Sequence, residues 1–502
     1  MVVQTRGGFV DDACVVLSLA AALAVYWIAE AHIAGAASLS SFPLDDSWIH
    51  LQFARNLAEG AGFAYNPGVP VSGSTAPLWT LLLAGAFSLA GTAPAWAKAL
   101  GIAAALATAL LTRRLVWMWT ESRALALAGG VIAAVAGPLV WGALSGMEVS
   151  LAALLVTGAI VLHTAGRDAP TALFLGLAVL ARPESLLLVP LVWLGRPITP
   201  RRTAIFAGIV GALLTPWVAF NLATAGTPLP ATASAKVEGG LIGVLSGSRD
   251  LLAAALVQRP WQFEMEWIRW LFSVDALLPV LLLPGLWGLW RMRGRAAGFP
   301  ALVLVLHPVG MALLAPYRGP GFQEGRYSIH LLPLAIAVAL AGVAALGPWR
   351  LMRPALAGGL LAAALWTLPS AATRYAWAVQ NIDAMQVQLG RWVAANTPPG
   401  SRVALNDVGA IAYVSRREVV DVMGLVTPAI IAYRQKGEPG VLSYLERTCP
   451  DYLVIFPAWF PMLSAMTDRF RPIYRITLAH NTVAGADEMV VYKTPWTSAS
   501  CR

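Results

Sequence analysis

Two adjacent carboxylates, Asp45 and Asp46, stand just past the end of a long apolar run. One acid would suffice to cap a helix N-terminus, where free amides and the dipole favour a carboxylate. Two side by side add repulsion, and burial near a bilayer adds desolvation, so such pairs suit binding a cation or moving a proton. From these residues alone, capping and acid–base chemistry both stay open. A second acid, Glu148 in Ser145-Gly146-Met147-Glu148, opens a helix in a short, otherwise uncharged turn, where capping competes with facing the same cavity as Asp45 and Asp46. Third is Arg182-Pro183-Glu184, whose Arg and Glu either pair with each other or line a polar cavity. Fourth is the glycine-rich segment 319–330, which holds Glu324, Arg326, Tyr327 and His330. Arg326 and His330 are four apart on the expected first turn of the next helix, where positive charge opposes the dipole. A lipid phosphate would supply the reason, since Arg matches phosphate bidentately. Interfacial anchoring by Arg and Tyr is the competing explanation. Lys236, in the loop 223–272, offers a further cation.

The elements that must position these groups follow from composition. The 502 residues are 58% hydrophobic and 12% charged, with a mean hydropathy of +0.66. Soluble domains carry about 25% charged residues, so a chain with long apolar runs and this deficit is a polytopic membrane protein. The net charge of +9 does not signal nucleic acid, because most arginines sit in short clusters between apolar runs. Three cysteines, Cys14, Cys449 and Cys501, are too few for a disulfide framework or a zinc site of ordinary ligand count. Cys449 and Cys501 either pair or remain thiols. The first apolar run, 13–37, lacks a clear cleavage site and is expected as a retained helix.

Spanning helices are expected near 11–36, 97–116, 124–142, 147–165, 169–181, 184–195, 203–222, 273–290, 298–315, 330–347 and 354–371, eleven in all. This count puts Arg6, Arg113, Arg114, Arg123, Arg167, Arg196, Arg201, Arg202, Arg291, Arg293, Arg295, Arg350 and Arg353 on one side, the cytoplasm by the positive-inside rule. The N-terminus is then cytoplasmic. The loop 37–96 and residues 372–502 are extracytoplasmic, giving a helical domain over 1–371 and a small second domain. In the loop, Ile49, Phe53 and Leu57 fall at i, i+4 and i+8, with Asp46, His50, Arg55 and Glu59 among the polar positions. Residues 46–59 are therefore expected as an amphipathic helix on the membrane surface, and 76–89 as a juxtamembrane or re-entrant helix. In the tail, a helical stretch at 380–395 precedes β-like runs at 402–405, 419–422, 452–456, 474–478 and 489–492, a pattern of a small α/β domain. No Walker motif, dinucleotide fingerprint or nucleophile elbow is present. His32, His163, His307 and His480 show no ligand spacing.

The stretch Asp45-Asp46-Ser47-Trp48-Ile49, followed by Phe53-Ala54-Arg55-Asn56-Leu57-Ala58-Glu59-Gly60, Gly62-Phe63, Tyr65-Asn66-Pro67-Gly68 and Leu78-Trp79, resembles the first external loop of the integral-membrane GT-C glycosyltransferases. The branch containing bacterial arabinofuranosyltransferases is the most similar. Ser145-Gly146-Met147-Glu148, Arg182-Pro183-Glu184, Arg326-Tyr327 and Asn406-Asp407-Val408-Gly409-Ala410-Ile411-Ala412-Tyr413 resemble it too. The resemblance implies a bacterial inner-membrane enzyme that takes a sugar from a polyprenyl-phosphate donor to a glycan, lipid or protein acceptor. One of Asp45 and Asp46 would be the general base, and Glu148 would orient the acceptor or the base. Arg326, with His330 or Lys236, would stabilise the departing lipid phosphate. His50, Arg55, Asn66, Arg182, Glu184, Glu324 and Tyr327 would complete the substrate-binding set. No metal ligands are assigned, although some members of the superfamily use a divalent cation. Two other functions fit the same sequence: a transporter or flippase of polyprenyl lipids, and an envelope assembly factor without catalysis. Transporters usually place charges within midplane helices, whereas here they gather on external loops.

Overall fold

The computed structural model describes residues 6–232, 240–245, 252–314, 318–346 and 352–497. Lys236, Arg350 and Cys501 fall outside these. The chain forms two compact units: Met1–Ala29, Ala97–Trp217 and Val237–Thr373 make the first, and Glu30–Trp96, Val218–Lys236 and Arg374–Arg502 the second.

The first unit is helical. Among the described residues, five helices are long and apolar enough to cross a membrane: Gly8–Ala34, Ala95–Thr120, Pro200–Ala225, Arg295–Leu314 and Met352–Asn396. Two broken pairs raise the number to seven: Arg123–Val135 with Gly137–Leu144, bent by 51°, and Ala254–Val274 with Leu278–Arg293, bent by 109°. The first break falls where Ala136 is extended and Pro138 starts the next helix, as expected when a proline cannot continue the backbone ladder. Shorter apolar helices occupy Val149–Thr164, Asp168–Ala181, Pro183–Leu194 and Ile329–Ala345. Thus each expected span has a helix, but several fall short of the roughly 20 residues that cross a bilayer. The chain is a multi-pass membrane protein. Leu332–Ala345 is apolar and buried on nearly every side, which marks a helix surrounded by other helices. Its neighbour Leu278–Arg293 approaches it through Gly285, where a Cβ would lie 2.4 Å from the Val338 carbonyl oxygen. Small residues permit such contact between apolar helices.

The second unit is built on a five-stranded sheet: β1 (Arg402–Leu405), β2 (Glu418–Asp421), β3 (Tyr452–Ile455), β4 (Arg471–Thr477) and β5 (Glu488–Lys493), in the order β2-β1-β3-β5-β4. β1 pairs in parallel with β2 and β3, while β5 runs antiparallel to β3 and β4. The side-chain alternation of strands sends Val403, Leu405, Val454 and Val491 into one core. Ala404, Leu453, Ile455 and Val490 enter the core on the other face. Cys449 is disulfide-bonded, and Cys14, in the first unit, is a free thiol.

The loop after the first helix joins this sheet rather than the helical domain expected over 1–371. The helix Asp46–Ala58 is present as the periodicity predicts, but it is not a surface helix: Ser47 through Asn56 are all buried. Ile49 and Phe53 enter the same core as Met385, Leu389 and Val403. Its polar face is buried because it is used. Gln52 donates to the Tyr65 carbonyl at 3.0 Å and Asn56 to the Ala64 and Tyr65 carbonyls at 2.9 and 2.7 Å. Buried polar groups are tolerated when bonded in this way.

Candidate active site

Asp45 stands at the N-cap position of this buried helix, without capping it through its side chain. Its Oδ2 accepts the backbone N–H of Gly409 and its Oδ1 that of Ala410, both at 2.7 Å. Those amides belong to the loop that follows β1 and opens the helix Ala410–Ser415. Asp45 is therefore a cap, but of another segment's helix, and both oxygens are engaged. The fit demands glycine at 409, where a Cβ would stand 1.9 Å from the Asp45 carbonyl oxygen and 2.7 Å from its Cγ. Gly409→Ala is expected to destabilise the second unit by about 1–3 kcal/mol, the range for overpacking a tight site. Thermal unfolding of the purified chain measures the loss.

The same loop carries Asp407, for which the sequence alone points to no role. Gln386 Nε2 donates to Asp407 Oδ2 at 2.9 Å, and Asn406 Nδ2 reaches Oδ1 at 3.3 Å. Gln386 sits in a π-helical turn, Asp383–Val387, within the helical run Met352–Asn396. Burial, then the charges of Asp407 and Asp46, raise the Asp45 carboxyl well above its ordinary range. Burial, then Asp46 and Asp421, raise Asp407 too. Asp421, wholly buried at the end of β2, is pushed up to about 6 by desolvation, although the amides of Met423 and Val426 bond it at 2.7 Å each. Only the signal Asn406-Asp407-Val408-Gly409, a polar turn directly after a strand, could have located this third acid.

The sign of the pH effect follows. A carboxyl raised from 3.8 to about 6 by folding keeps its proton in the folded chain where the unfolded chain has lost it. Its stabilising contribution is complete below the unfolded value and disappears as pH rises through the folded one. The melting temperature of Asp421→Asn is therefore expected to depend less steeply on pH than wild type between about 4 and 6, measured by tryptophan fluorescence.

The other loop candidates are structural in their contacts. Arg55 donates to the Tyr413 carbonyl at 2.8 Å and to Gln52 Oε1, with its guanidinium 4.2 Å over the Tyr413 ring. Asn66 donates to the Val419 carbonyl at 2.8 Å and accepts the Val419 N–H at 2.9 Å. It thus satisfies the free edge of β2 as a neighbouring strand would. His50 is buried, with Nδ1 3.5 Å from Ser74 Oγ. Tyr65, also buried, donates its hydroxyl to the Val408 carbonyl and so holds the acid loop from behind.

A second polar cluster lies in the first unit. Arg182 bridges two acids, with Nη1 2.6 Å from Glu148 Oε1 and Nη2 3.2 Å from Glu184 Oε1. Arg182 lies 5.2 Å from the Tyr327 ring centroid, and Arg326 Nη2 donates to the Tyr327 hydroxyl at 3.1 Å. His330 meets His307 edge to face at 5.3 Å. The turn before it departs from expectation: Arg326 precedes the helix rather than standing on its first turn, because the chain passes through Gly325 at φ 77° and reaches helix only at Ile329. Gln323 and Glu324 take left-handed φ of 48° and 60°, a conformation non-glycine residues adopt at a cost. Among the described residues, no three or more His, Cys, Asp or Glu side chains are arranged to hold a metal ion. The structure therefore distributes the sequence candidates over two clusters, one in each unit, with Lys236 outside the described residues.

This architecture has known counterparts. ArnT from Cupriavidus metallidurans, in its apo state, aligns with 95% of this chain and 97% of its own at 13% identity and a TM-score of 0.58. The same protein bound to undecaprenyl phosphate aligns with 97% of this chain and 98% of its own at 13% identity, again with a TM-score of 0.58. The archaeal oligosaccharyltransferase AglB from Archaeoglobus fulgidus, in complex with an inhibitory peptide and a dolichol-phosphate, aligns with 93% of this chain and 74% of its own at 13% identity and a TM-score of 0.51. The chain shares its overall fold with these two proteins. Residues 378–492 match a family described as a domain of unknown function, DUF8728. No curated protein matches the sequence.

Proposed function

We propose that the chain is a glycosyltransferase that moves a sugar from a polyprenyl-phosphate carrier to an acceptor hydroxyl outside the cytoplasm. The observation that carries the reading is the fold, which aligns end to end with an enzyme whose structure holds undecaprenyl phosphate and extensively with one that holds dolichol-phosphate. The acid cluster supports it. Asp46 is half-buried and within electrostatic reach of both Asp45 and Asp407, and we assign it as the general base. In an inverting displacement the acceptor oxygen attacks the anomeric carbon and passes its proton to the Asp46 carboxylate. The bond from that carbon to the phosphate oxygen breaks, and polyprenyl phosphate leaves with the electron pair. Arg326 and His330, backed by Tyr327, Glu324 and the Glu148–Arg182–Glu184 triad, are the groups we assign to the lipid phosphate. A fixed cation stabilises charge that develops there as the bond breaks. The arginine distribution supports a bacterial inner-membrane orientation with the N-terminus cytoplasmic and the sheet unit outside.

The test is a proteoliposome assay of the full-length chain with radiolabelled polyprenyl-phosphate sugars, starting with arabinofuranose because of the sequence resemblance, and an oligosaccharide acceptor. Label appearing on the acceptor supports the enzyme. Translocation of intact lipid-sugar with no label transferred would overturn it in favour of a flippase.

A further inference from the structure

The Met352–Asn396 run contains a π-helical turn at Asp383–Val387. Such turns are rare and recur at functional sites. This one presents Gln386, whose side chain is fully buried. The amide is half satisfied. Nε2 is committed to Asp407 Oδ2, which fixes the orientation of the amide, since its oxygen would repel a carboxylate. Oε1 is buried and has no hydrogen-bond partner among the described residues. An unpaired buried acceptor of this kind is costly and calls for a ligand or water. Because Oε1 and Nε2 share one carbon, the orphan acceptor sits beside the Asp407 carboxylate. Asp407 in turn lies within electrostatic reach of Asp46 and Asp421, and Asp45 of Asp407 and Asp46.

We propose that Gln386 Oε1 and the Asp407 carboxylate form a subsite for the hydroxyl groups of a sugar ring, adjoining the Asp45–Asp46 pair. Both atoms are acceptors, so the missing component is a donor. Neighbouring ring hydroxyls supply O–H donors at the spacing of two adjacent acceptors, and carboxylates and side-chain amides are the natural partners for them. A metal ion is the other species that acceptors attract, but no three acids or histidines among the described residues are arranged to hold one. The subsite takes its catalytic meaning from the glycosyl-transfer reading. Its binding of sugar does not depend on that reading.

The experiment uses the full-length chain in nanodiscs and reads binding apart from turnover. Free arabinose, mannose, galactose and glucose are presented singly at high millimolar concentration and detected by saturation-transfer NMR, with magnesium and calcium chloride as separate probes. At least one sugar is expected to give ring-proton transfer in wild type, reduced at least fivefold in Gln386→Leu and in Asp407→Asn and retained in the control Arg475→Ala. Melting temperatures of the variants exclude unfolding as the cause. In the transfer assay, Gln386→Leu is expected to raise the KM for one substrate about tenfold with kcat within threefold. A shift in the acceptor KM places an acceptor sugar here, and a shift in the donor KM places the donor sugar. No sugar signal in wild type, a metal response in its place, or unchanged binding and KM in both variants overturns the subsite. Sugar binding without any transfer overturns the enzyme reading and leaves the subsite standing.

Discussion

Asp46→Asn is expected to lower sugar transfer by about 10²–10⁴-fold, the usual contribution of a general base, while leaving the melting temperature of the protein unchanged. Asparagine has nearly the same shape as aspartate, and Asp46 is the first residue inside the Asp46–Ala58 helix rather than its N-cap, so the helix keeps its start. What it lacks is the basic oxygen that takes the acceptor proton. Asp45→Asn is expected to behave differently. Both Asp45 oxygens accept backbone N–H groups, from Gly409 and Ala410, and an amide would turn an NH₂ toward one of those donors. A buried donor left unsatisfied costs about 1–3 kcal/mol, so this variant should melt lower and lose activity as the loop shifts. The two substitutions are chemically identical and adjacent, which makes the comparison sharp. Activity of Asp46→Asn near wild type, with Asp45→Asn inactive at an unchanged melting temperature, would exchange the two roles.

Much of this arrangement was legible in the sequence, and what was not has a physical reason. The five β-like runs of the tail coincide with β1 to β5 to within a few residues, because short apolar runs rich in β-branched and aromatic residues are a local property that survives tertiary packing. The 46–58 helix was legible for the same reason, but its environment was not. Periodicity reports which residues share a face, not what meets the polar face. Here Gln52, Arg55 and Asn56 bond backbone carbonyls from 64–65 and 413. Those carbonyls come from residues up to 358 positions away, and no local pattern announces them. Asp407 and Gln386 were missed on the same ground: their meaning lies in a contact between a π-helical turn and a post-strand loop. Asp45 was read as either cap or acid, and the structure makes it a cap across the chain, an option that a search for local capping does not contain.

Arg182→Ala is expected to be the most destabilising single substitution in the first unit, costing about 3–5 kcal/mol and cutting the yield of folded protein. Side-chain exposure is 5% for Arg182 and 4% for Glu148, with Glu184 at 21%, so removal of the guanidinium leaves two acids facing each other with little water to screen them. Loss of folding alone would not tell a structural clamp from a substrate-handling group. The discriminating variant removes the charges together: Arg182→Met with Glu148→Gln and Glu184→Gln. Uncharged replacement of a buried ion cluster is often neutral or stabilising, so this chain is expected to recover the wild-type melting temperature. If the cluster only holds the Val149–Thr164 helix to the turn at Pro183–Leu187, transfer activity should return with the fold. The assignment of these residues to the lipid phosphate requires the opposite: a protein that melts as wild type yet transfers sugar at least about 100-fold more slowly, the scale of losing one preorganised electrostatic contact to a developing charge.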